Sequence, residues 1–257
     1  MKYIRVEYNS EEFWAVPSDG TAQLLDGAPY ENGKLTDQTV DLAKCRILAP
    51  CKPGKIVAVG KNYLDHITEL AGDAKLPDNP ILFFKSSGTV IGPGDPITLP
   101  SEEISQRVDH EAELAFVISR RARNVAAVDA AGYILGYTCL NDVTARDIQK
   151  LDGQWTRAKN FDTFAPVGPL LTDEIDPLDV RLTASVNGVL RQDESSSKQI
   201  WNVYQLLEFI SRMMTLEPGD LVTTGTPAGI GPIRAGDTVT VSIEGIGDLS
   251  NPVAAEG

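Results

Sequence analysis

The sequence predicts a mostly β chain with few helices, of the α+β class. Strand-like runs outnumber helical runs along the 257 residues, and turns rich in proline, glycine and asparagine separate them. Strands and helices also do not alternate regularly. Because a (β/α)8 barrel or a doubly wound sheet requires such alternation, both architectures are disfavoured.

The predicted strands are short apolar or alternating runs that end at turn signals. The clearest feature is a hairpin over 180–192, where Asn187-Gly188 joins two runs. This dipeptide readily adopts the positive φ angles that a two-residue hairpin turn requires. Further strands are predicted over 2–8, 56–59, 113–118 and 133–140.

Two helices are predicted. Residues 203–214 carry apolar side chains at helical spacing, and Asn202 with Gln205 matches a capping box. Met213 and Met214, at the end of this segment, are expected to pack in the core. A shorter helix is predicted over 63–70, ending at Gly72.

A break in the pattern divides the chain near residue 50. Two prolines and one glycine within 49–54 suit neither a helix nor a sheet, so this segment is predicted to be a linker. We therefore expect a small β-rich N-terminal domain over 1–50 and a second domain over 51–257.

Charge and composition exclude several classes of function. Acidic residues outnumber basic ones, 36 against 23, which disfavours broad binding to nucleic acid or to anionic membranes. Only two histidines are present, so a three-histidine zinc site is excluded. Three cysteines without a C-x-x-C motif argue against a disulfide framework. The charged start and the shortness of the apolar runs lead us to expect a cytoplasmic protein.

An E-x-E pair predicts a metal site. Glu111 and Glu113 share one face of a predicted strand, where two ionised carboxylates would repel each other. A divalent cation would remove this repulsion, and oxygen ligands suit Mg²⁺, Mn²⁺ or Ca²⁺. Asp142, at the end of the strand over 133–140, is a candidate third ligand. The alternative is that the pair faces water on an edge strand.

Cations and a glycine-rich loop follow these acids. Arg146, Arg157 and Lys159 are local positive charges in an acidic protein, although each is by default a solvated residue.

The loop over 224–231 has the wrong spacing for a dinucleotide fingerprint or a P-loop. Its backbone amides and the Thr226 hydroxyl are candidates for binding a substrate carboxylate; the alternative is a plain tight turn.

Five motifs in one order resemble the fumarylacetoacetate hydrolase family over about residues 55–249. They are GKNYLDH (60–66), DHEAELAFVI (109–118), NDVTARD (141–147), AKNFDTFAPVGP (158–169) and TGTPAGIGP (224–232). The resemblance implies a mixed β-roll with the site at one end, assembled as a homodimer. The first fifty residues match the family only loosely.

The resemblance also implies roles for particular residues. The ligands of a Mg²⁺ or Mn²⁺ ion would be Glu111, Glu113 and Asp142. The catalytic residues would be His66, Glu69 and Lys159. The substrate-binding residues would be Lys85, Arg146, Gln149, Gly225 and Thr226. His110 is interpreted as structural, since it alternates onto the face opposite the two glutamates.

The predicted function is a divalent-metal-dependent C–C bond hydrolase or decarboxylase acting on small anionic 2-oxo acids, such as acylpyruvates or oxaloacetate. An alternative is a keto–enol tautomerase, or a 2-hydroxyhepta-2,4-diene-1,7-dioate isomerase, using the same metal. A third hypothesis is a non-catalytic protein that binds Ca²⁺ structurally, against which the nearby cations argue.

Overall fold

Strands form most of the regular structure. The computed structural model describes residues 1–71 and 76–256, with residues 70 and 71 described by their backbone alone. The strands of the first half are β1 (Lys2–Tyr8), β2 (Glu11–Ser18), β3 (Thr21–Leu25), β4 (Leu35–Asp41), β5 (Arg46–Leu48), β6 (Ile56–Gly60), β7 (Ile81–Lys85), β8 (Val90–Ile91), β9 (Ile97–Leu99) and β10 (Val108–His110). Those of the second half are β11 (Ala112–Ile118), β12 (Ile134–Asn141), β13 (Thr144–Ala145), β14 (Ala165–Thr172), β15 (Arg181–Val186), β16 (Val189–Ser195), β17 (Leu221–Thr223), β18 (Gly231–Pro232), β19 (Thr238–Ile243) and β20 (Gly247–Ala255).

The helices are short. The α-helices are α1 (Leu64–Ala71), α2 (Arg146–Asp152), α3 (Thr156–Lys159) and α4 (Val203–Met213). The 3-10 turns are Pro29–Glu31, Leu42–Lys44, Ser87–Thr89, Ala127–Tyr133 and Ser196–Lys198. No helix within the described residues is long and apolar enough to cross a membrane. The prediction of a mostly β fold with few helices is confirmed.

The longest helix follows its sequence signals closely. The Asn202 side chain accepts hydrogen bonds from the Tyr204 and Gln205 N–H groups at 3.1 Å, and the Gln205 side chain accepts from the Asn202 N–H at 2.9 Å. This is the predicted capping box, a feature that stabilises a helix by about 1 kcal/mol. The expectation for Met213 was wrong: it lies in the last turn and is 51% exposed, and only Met214 packs against the core.

The shorter predicted helix begins at Leu64, one residue later than expected. Its predicted end at Gly72 lies outside the described residues.

The described strands form one large mixed sheet and two smaller ones. Ten strands of the large sheet lie in the order β4-β3-β2-β1-β14-β12-β11-β17-β6-β7, with β5 against β1 and β8 against β14. A second sheet has the order β16-β15-β19-β20-β9, and a small one has the order β13-β10-β18. Most pairs are antiparallel, but β17 and β6 run parallel. The predicted hairpin is present as β15 and β16, which pair up to Val186 and Val189.

The N-terminal strands continue the large sheet. From Ile4 onwards β1 pairs with β2 and, in part, with β5, whereas its first residues pair with β14, so that Tyr3 lies opposite Leu171. The division into two domains at about residue 50 stays a prediction.

The strand β11 lies at the centre of the core and is buried on both faces. Leu114 and Phe116 point into a cluster that includes Leu207 of α4 and Val241 of β19. The alternate residues of β11 pack in a second cluster on the other face. Because β11 is held on both faces, the residues at its start have fixed positions.

Candidate active site

Three acidic residues meet where two strands end. Ala112 of β11 lies opposite Asn141 of β12, which brings Glu111 and Asp142 side by side just outside the strands. The Asp142 N–H donates to the Glu111 carbonyl at 2.8 Å. Glu113 completes a group in which one carboxylate oxygen of each acid lies within 4.8 Å of the others. The strand register therefore assembles the carboxylate cluster (Glu111, Glu113 and Asp142).

Buried cations pair with two of these carboxylates. The Lys159 ammonium donates to Glu111 Oε2 at 2.8 Å and to Asp142 Oδ2 at 2.6 Å. Lys85 donates to Asp142 Oδ1 at 2.7 Å, and Arg146 donates to Glu111 Oε1. Burial alone would raise the pKa of Glu111, but the charges of Lys159 and Arg146 outweigh it and hold this pKa well below its ordinary value. Glu111 is therefore ionised at neutral pH.

Glu113 has a different environment. Its Oε2 accepts a hydrogen bond from the Gly225 N–H at 2.8 Å, and no cation among the described residues forms an ion pair with it. Burial, and repulsion by Asp142 and Glu111, raise the pKa of Glu113 well above its ordinary value of 4.5. A divalent cation shared by the cluster would offset this repulsion, and the all-oxygen donor set suits Mg²⁺ or Mn²⁺. The chain thus carries a buried acidic cluster suited to a divalent metal ion.

A histidine–glutamate pair lies on α1. His66 Nδ1 lies 3.3 Å from Glu69 Oε2, three residues along the helix. The other Glu69 oxygen accepts from the Gly229 N–H at 3.1 Å, which ties the helix to the glycine-rich loop. Burial would raise the pKa of Glu69, but the hydrogen bonds from His66 and Gly229 lower it below its ordinary value. Glu69 thus faces Nδ1, while the Nε2 atom of His66 has no hydrogen-bond partner among the described residues.

The carboxylates and His66 border the same cavity, which has a volume of about 120 Å³. One of its walls is apolar. The rings of Phe83 and Trp155 meet edge to face, with their centroids 5.2 Å apart. Gly60 lies beneath Trp155, where an added Cβ would come within 2.4 Å of the indole ring. A glycine is therefore required for Trp155 to lie so close to the strand β6.

Arg146 is fixed by several partners. Its Nε donates to Asp109 Oδ2 at 2.8 Å and its Nη1 to Gln149 Oε1 at 2.5 Å, in addition to the contact with Glu111. Asp109 is itself fully buried and also pairs with Arg107 at 2.9 Å. All three nitrogens of the Arg146 side chain thus already donate within the protein.

Thr226 differs from the expectation that its hydroxyl binds substrate. The hydroxyl donates to the Ala112 carbonyl at 2.8 Å and accepts from Gln192 Nε2 at 2.8 Å. Because a hydroxyl has a single proton, this side chain has no donor left for a substrate oxygen. Gln192 also accepts from the Ala112 N–H at 2.9 Å and faces the buried His110 Nδ1 at 3.2 Å. Thr226 therefore fastens the glycine-rich loop to β11.

Most of the predicted site residues meet at this one cavity. Those that border it are Glu111, Glu113, Asp142, His66, Lys159, Arg146, Gln149 and Thr226. The other three predicted residues contact residues that border the cavity: Lys85 contacts Asp142, Glu69 contacts His66, and Gly225 contacts Glu113. Their catalytic and binding roles stay predictions.

Sequence reasoning missed several residues of the site. Phe83 and Trp155 build the apolar wall, Lys61 also borders the cavity, and Gln192 connects the loop to β11. Lys61 lies in the quoted motif GKNYLDH, which was a signal for its position. No local pattern marks Gln192, because it reaches the site only through the pairing of β15 with β16.

Comparisons with known proteins identify the family. The family described as Fumarylacetoacetate (FAA) hydrolase C-terminal matches residues 55–254. The chain belongs to this family. Residues 1–50 match a second family, described as Rv2993c-like, N-terminal. The resemblance that the five motifs indicate is confirmed.

Three relatives of this fumarylacetoacetate hydrolase family member have informative names. Oxaloacetate tautomerase YisK of Bacillus subtilis is 39% identical over 90% of this chain and 80% of its own length. The 5-carboxymethyl-2-hydroxymuconate delta-isomerase from Mycobacterium smegmatis, known from a crystal structure, is 43% identical in sequence to this chain. The two structures superpose with a TM-score of 0.92, and all of both chains is covered. Maleylpyruvate hydrolase from Sphingobium sp. SYK-6, solved with manganese(II) and pyruvate, is 26% identical, with a TM-score of 0.82 and all of both chains covered.

Proposed function

We propose that this protein is a divalent-metal-dependent enzyme that breaks a C–C bond next to C3 of a small 2-oxo acid, by hydrolysis or by decarboxylation. The observation that carries the proposal is that a cluster of three buried carboxylates and the His66–Glu69 pair border one cavity. Related proteins act on 2-oxo acids or their enols, and one of them was solved with manganese and pyruvate. Oxaloacetate and acylpyruvates are the candidate substrates.

Glu111, Glu113 and Asp142 would hold the ion, each through a carboxylate oxygen. When bound, Mg²⁺ or Mn²⁺ supplies Lewis-acid stabilisation of the negative charge that develops on a keto oxygen. Lys159 holds Glu111 and Asp142 in position through two charged hydrogen bonds, so neither carboxylate has to be ordered when the site is used.

His66 is the proposed acid–base group. In hydrolysis its Nε2 takes a proton from the attacking water, and in decarboxylation the same atom returns a proton to C3 after CO₂ leaves. Glu69 contacts Nδ1 and would fix the orientation of the imidazole, the part that an orienting carboxylate plays in hydrolytic triads. Phe83 and Trp155 limit the water around the reacting atoms.

A second candidate function is keto–enol tautomerisation of oxaloacetate. It is favoured by the tautomerase relative, which is 39% identical over most of this chain. The residues would be the same, but His66 would move a proton between C3 and the enol oxygen and no C–C bond would break. Isomerisation of an unsaturated seven-carbon dicarboxylate, which the isomerase structure suggests, is a third reaction of this kind.

A substrate panel with Mg²⁺ or Mn²⁺ tests the proposal. The panel contains oxaloacetate, acetylpyruvate, fumarylpyruvate and an unsaturated seven-carbon dicarboxylate, and both the enol absorbance and pyruvate release are followed. Metal-dependent pyruvate release supports bond cleavage. Loss of the enol signal without pyruvate identifies a tautomerase instead. An absence of turnover on every substrate, in protein that binds Mn²⁺, would refute the proposed function.

A further inference from the structure

Lys61 is a cation of the cavity for which the proposed chemistry gives no role. It borders the cavity directly after the strand β6, and it is half-buried. Within residues 1–71 and 76–256 its ammonium makes neither an ion pair nor a hydrogen bond. Its charge is therefore not balanced by a neighbouring carboxylate, although the protein has 36 acidic residues.

The other cations around the cavity each form an ion pair with a carboxylate. Lys159 donates to Glu111 and Asp142, and Lys85 donates to Asp142. All three nitrogens of Arg146 donate to protein oxygens. Among the described residues that border this cavity, Lys61 is therefore the one cation without an acidic partner in the protein.

The backbone around Lys61 is held firmly. Its φ angle is 57°, in the left-handed region that a non-glycine residue enters only at a cost. On one side, Gly60 lies under the Trp155 ring. On the other, the buried Asn62 donates to the Trp201 and Thr224 carbonyls at 2.9 and 2.7 Å and accepts from the Trp201 N–H at 2.9 Å. These contacts fix where the Lys61 side chain leaves the backbone.

We propose that Lys61 binds the distal carboxylate of a dicarboxylic substrate and thereby selects it over monocarboxylic 2-oxo acids. This inference rests on the proposed function, in which the first carboxylate and the keto oxygen lie towards the carboxylate cluster. The distal carboxylate of a four-carbon acid then has to be desolvated near the apolar wall. An unpaired ammonium at the same cavity stabilises that charge, whereas a methyl group in its place would gain nothing from Lys61.

The test uses two inert ligands that differ in one group. Malate and 2-hydroxybutyrate share four carbons and a 2-hydroxy carboxylate end, but only malate has a distal carboxylate. Binding of each to the Mn²⁺-loaded protein is measured by calorimetry for wild type, Lys61→Met and Lys61→Arg. Methionine matches the four-atom stem of lysine without its ammonium group and keeps an unbranched Cβ, so the backbone cost at positive φ is unchanged. Lys150→Met, at an exposed lysine of α2, is the matched control.

We expect Lys61→Met to weaken malate binding about 10- to 100-fold, the usual contribution of a hydrogen bond to a charged group. Binding of 2-hydroxybutyrate and of Mn²⁺ should not change, Lys61→Arg should restore most of the malate affinity, and Lys150→Met should resemble wild type. In turnover, Lys61→Met should raise the KM for oxaloacetate far more than it lowers kcat.

Two outcomes would overturn the assignment of Lys61. One is an unchanged ratio of malate to 2-hydroxybutyrate affinity in Lys61→Met, and the other is an equal loss of both, which would mean that Lys61 only shapes the cavity. Wild-type protein that binds Mn²⁺ but not malate would also overturn this inference, whereas the proposed function is refuted only by the absence of turnover across the substrate panel. A wild type that turns over oxaloacetate but shows no effect of Lys61→Met refutes the inference alone.

Discussion

The cavity has two sides that are held in different ways. On the sheet side, Glu111 and Asp142 lie at the ends of two paired strands, and each accepts two charged hydrogen bonds from buried cations. On the helix side, His66 lies on a helix of eight residues and contacts Glu69, which is one-third exposed. The sheet side is preorganised before any ligand binds, whereas on the helix side one hydrogen bond, from the Gly229 N–H to Glu69, ties the helix to the loop.

This difference separates two tasks. Metal binding requires rigid, desolvated carboxylates, which strands buried on both faces provide. Proton transfer requires a group that reaches a substrate atom after that substrate has entered. Substitutions on the sheet side should therefore change metal affinity and stability, and those on the helix side should change turnover with little effect on either.

The largest effect is expected for Asp142→Asn. This change removes the charge that pairs with the buried Lys85 and Lys159, and breaking a buried ion pair from one side costs about 3–5 kcal/mol. We expect both a loss of Mn²⁺ affinity by calorimetry and a lower free energy of unfolding in chelator. Metal affinity equal to that of the wild type would contradict the proposed ligand set.

Glu113→Gln should separate those two effects. Glu113 has no cation partner among the described residues, and the charges of Asp142 and Glu111 oppose its own. The substitution should abolish Mn²⁺ binding as severely as Asp142→Asn does, yet leave the metal-free protein at least as stable as wild type. Thermal unfolding in chelator measures the difference, and a destabilisation equal to that of Asp142→Asn would refute the contrast between the two acids.

The stability of metal-free Glu113→Gln relative to wild type should depend on pH, because the pKa of Glu113 is raised. A carboxyl group whose pKa is higher in the folded state than in the unfolded state stabilises the fold while it is protonated, below about pH 4.5, and this stabilisation is lost as pH rises towards the folded pKa. The advantage of Glu113→Gln over wild type in chelator should therefore be small near pH 4.5 and grow towards pH 8. A difference in Tm that stays constant over this range would contradict it.

On the helix side, His66→Gln should lower kcat by about 100- to 10,000-fold, the range usual for the loss of a general acid or base. Mn²⁺ affinity and Tm should stay close to those of wild type, since no hydrogen bond or ion pair joins His66 to the carboxylate cluster among the described residues. Measuring kcat and Mn²⁺ binding on the same preparation checks both. A loss of metal affinity in this variant would show that the two sides of the cavity are not independent.

The smallest effect is expected for Gly229→Ala. A Cβ at this position would come within 2.1 Å of the Arg191 carbonyl oxygen, so the loop must shift and the Gly229 contact with Glu69 must weaken. A lost hydrogen bond of about 1 kcal/mol corresponds to a fall in kcat of about five- to tenfold. The control is Gly236→Ala, which has a similar positive φ but no atom within 4 Å of the added Cβ. Equal kcat values for the two variants would mean that the loop contact does not position Glu69.

Local patterns in the sequence were sufficient for several features. The Asn187-Gly188 turn and the Asn202–Gln205 capping box form from residues within a few positions of each other, so sterics and short-range hydrogen bonds determine them. The spacing of Glu111 and Glu113 likewise predicted two carboxylates in one place, and they do lie together, although Glu111 is just outside β11 and not on its face. The five ordered motifs could also identify the family from the sequence alone, because each is a continuous run of residues.

Only the tertiary structure decided which partner each charge has. Glu111 is paired because Lys159 and Arg146, 48 and 35 residues away, are brought to it. Among the described residues, the Glu113 carboxylate instead accepts a hydrogen bond from the Gly225 amide, 112 residues away. The pairing of distant strands likewise decides that the Thr226 hydroxyl donates its proton to Ala112. It also decides that Lys61 has no acidic partner among the described residues. A hydrogen bond requires a donor–acceptor distance of about 3 Å and Coulomb attraction weakens with distance, so the pairing of charges in this cavity is set by which distant residues the fold brings together and not by neighbours along the chain.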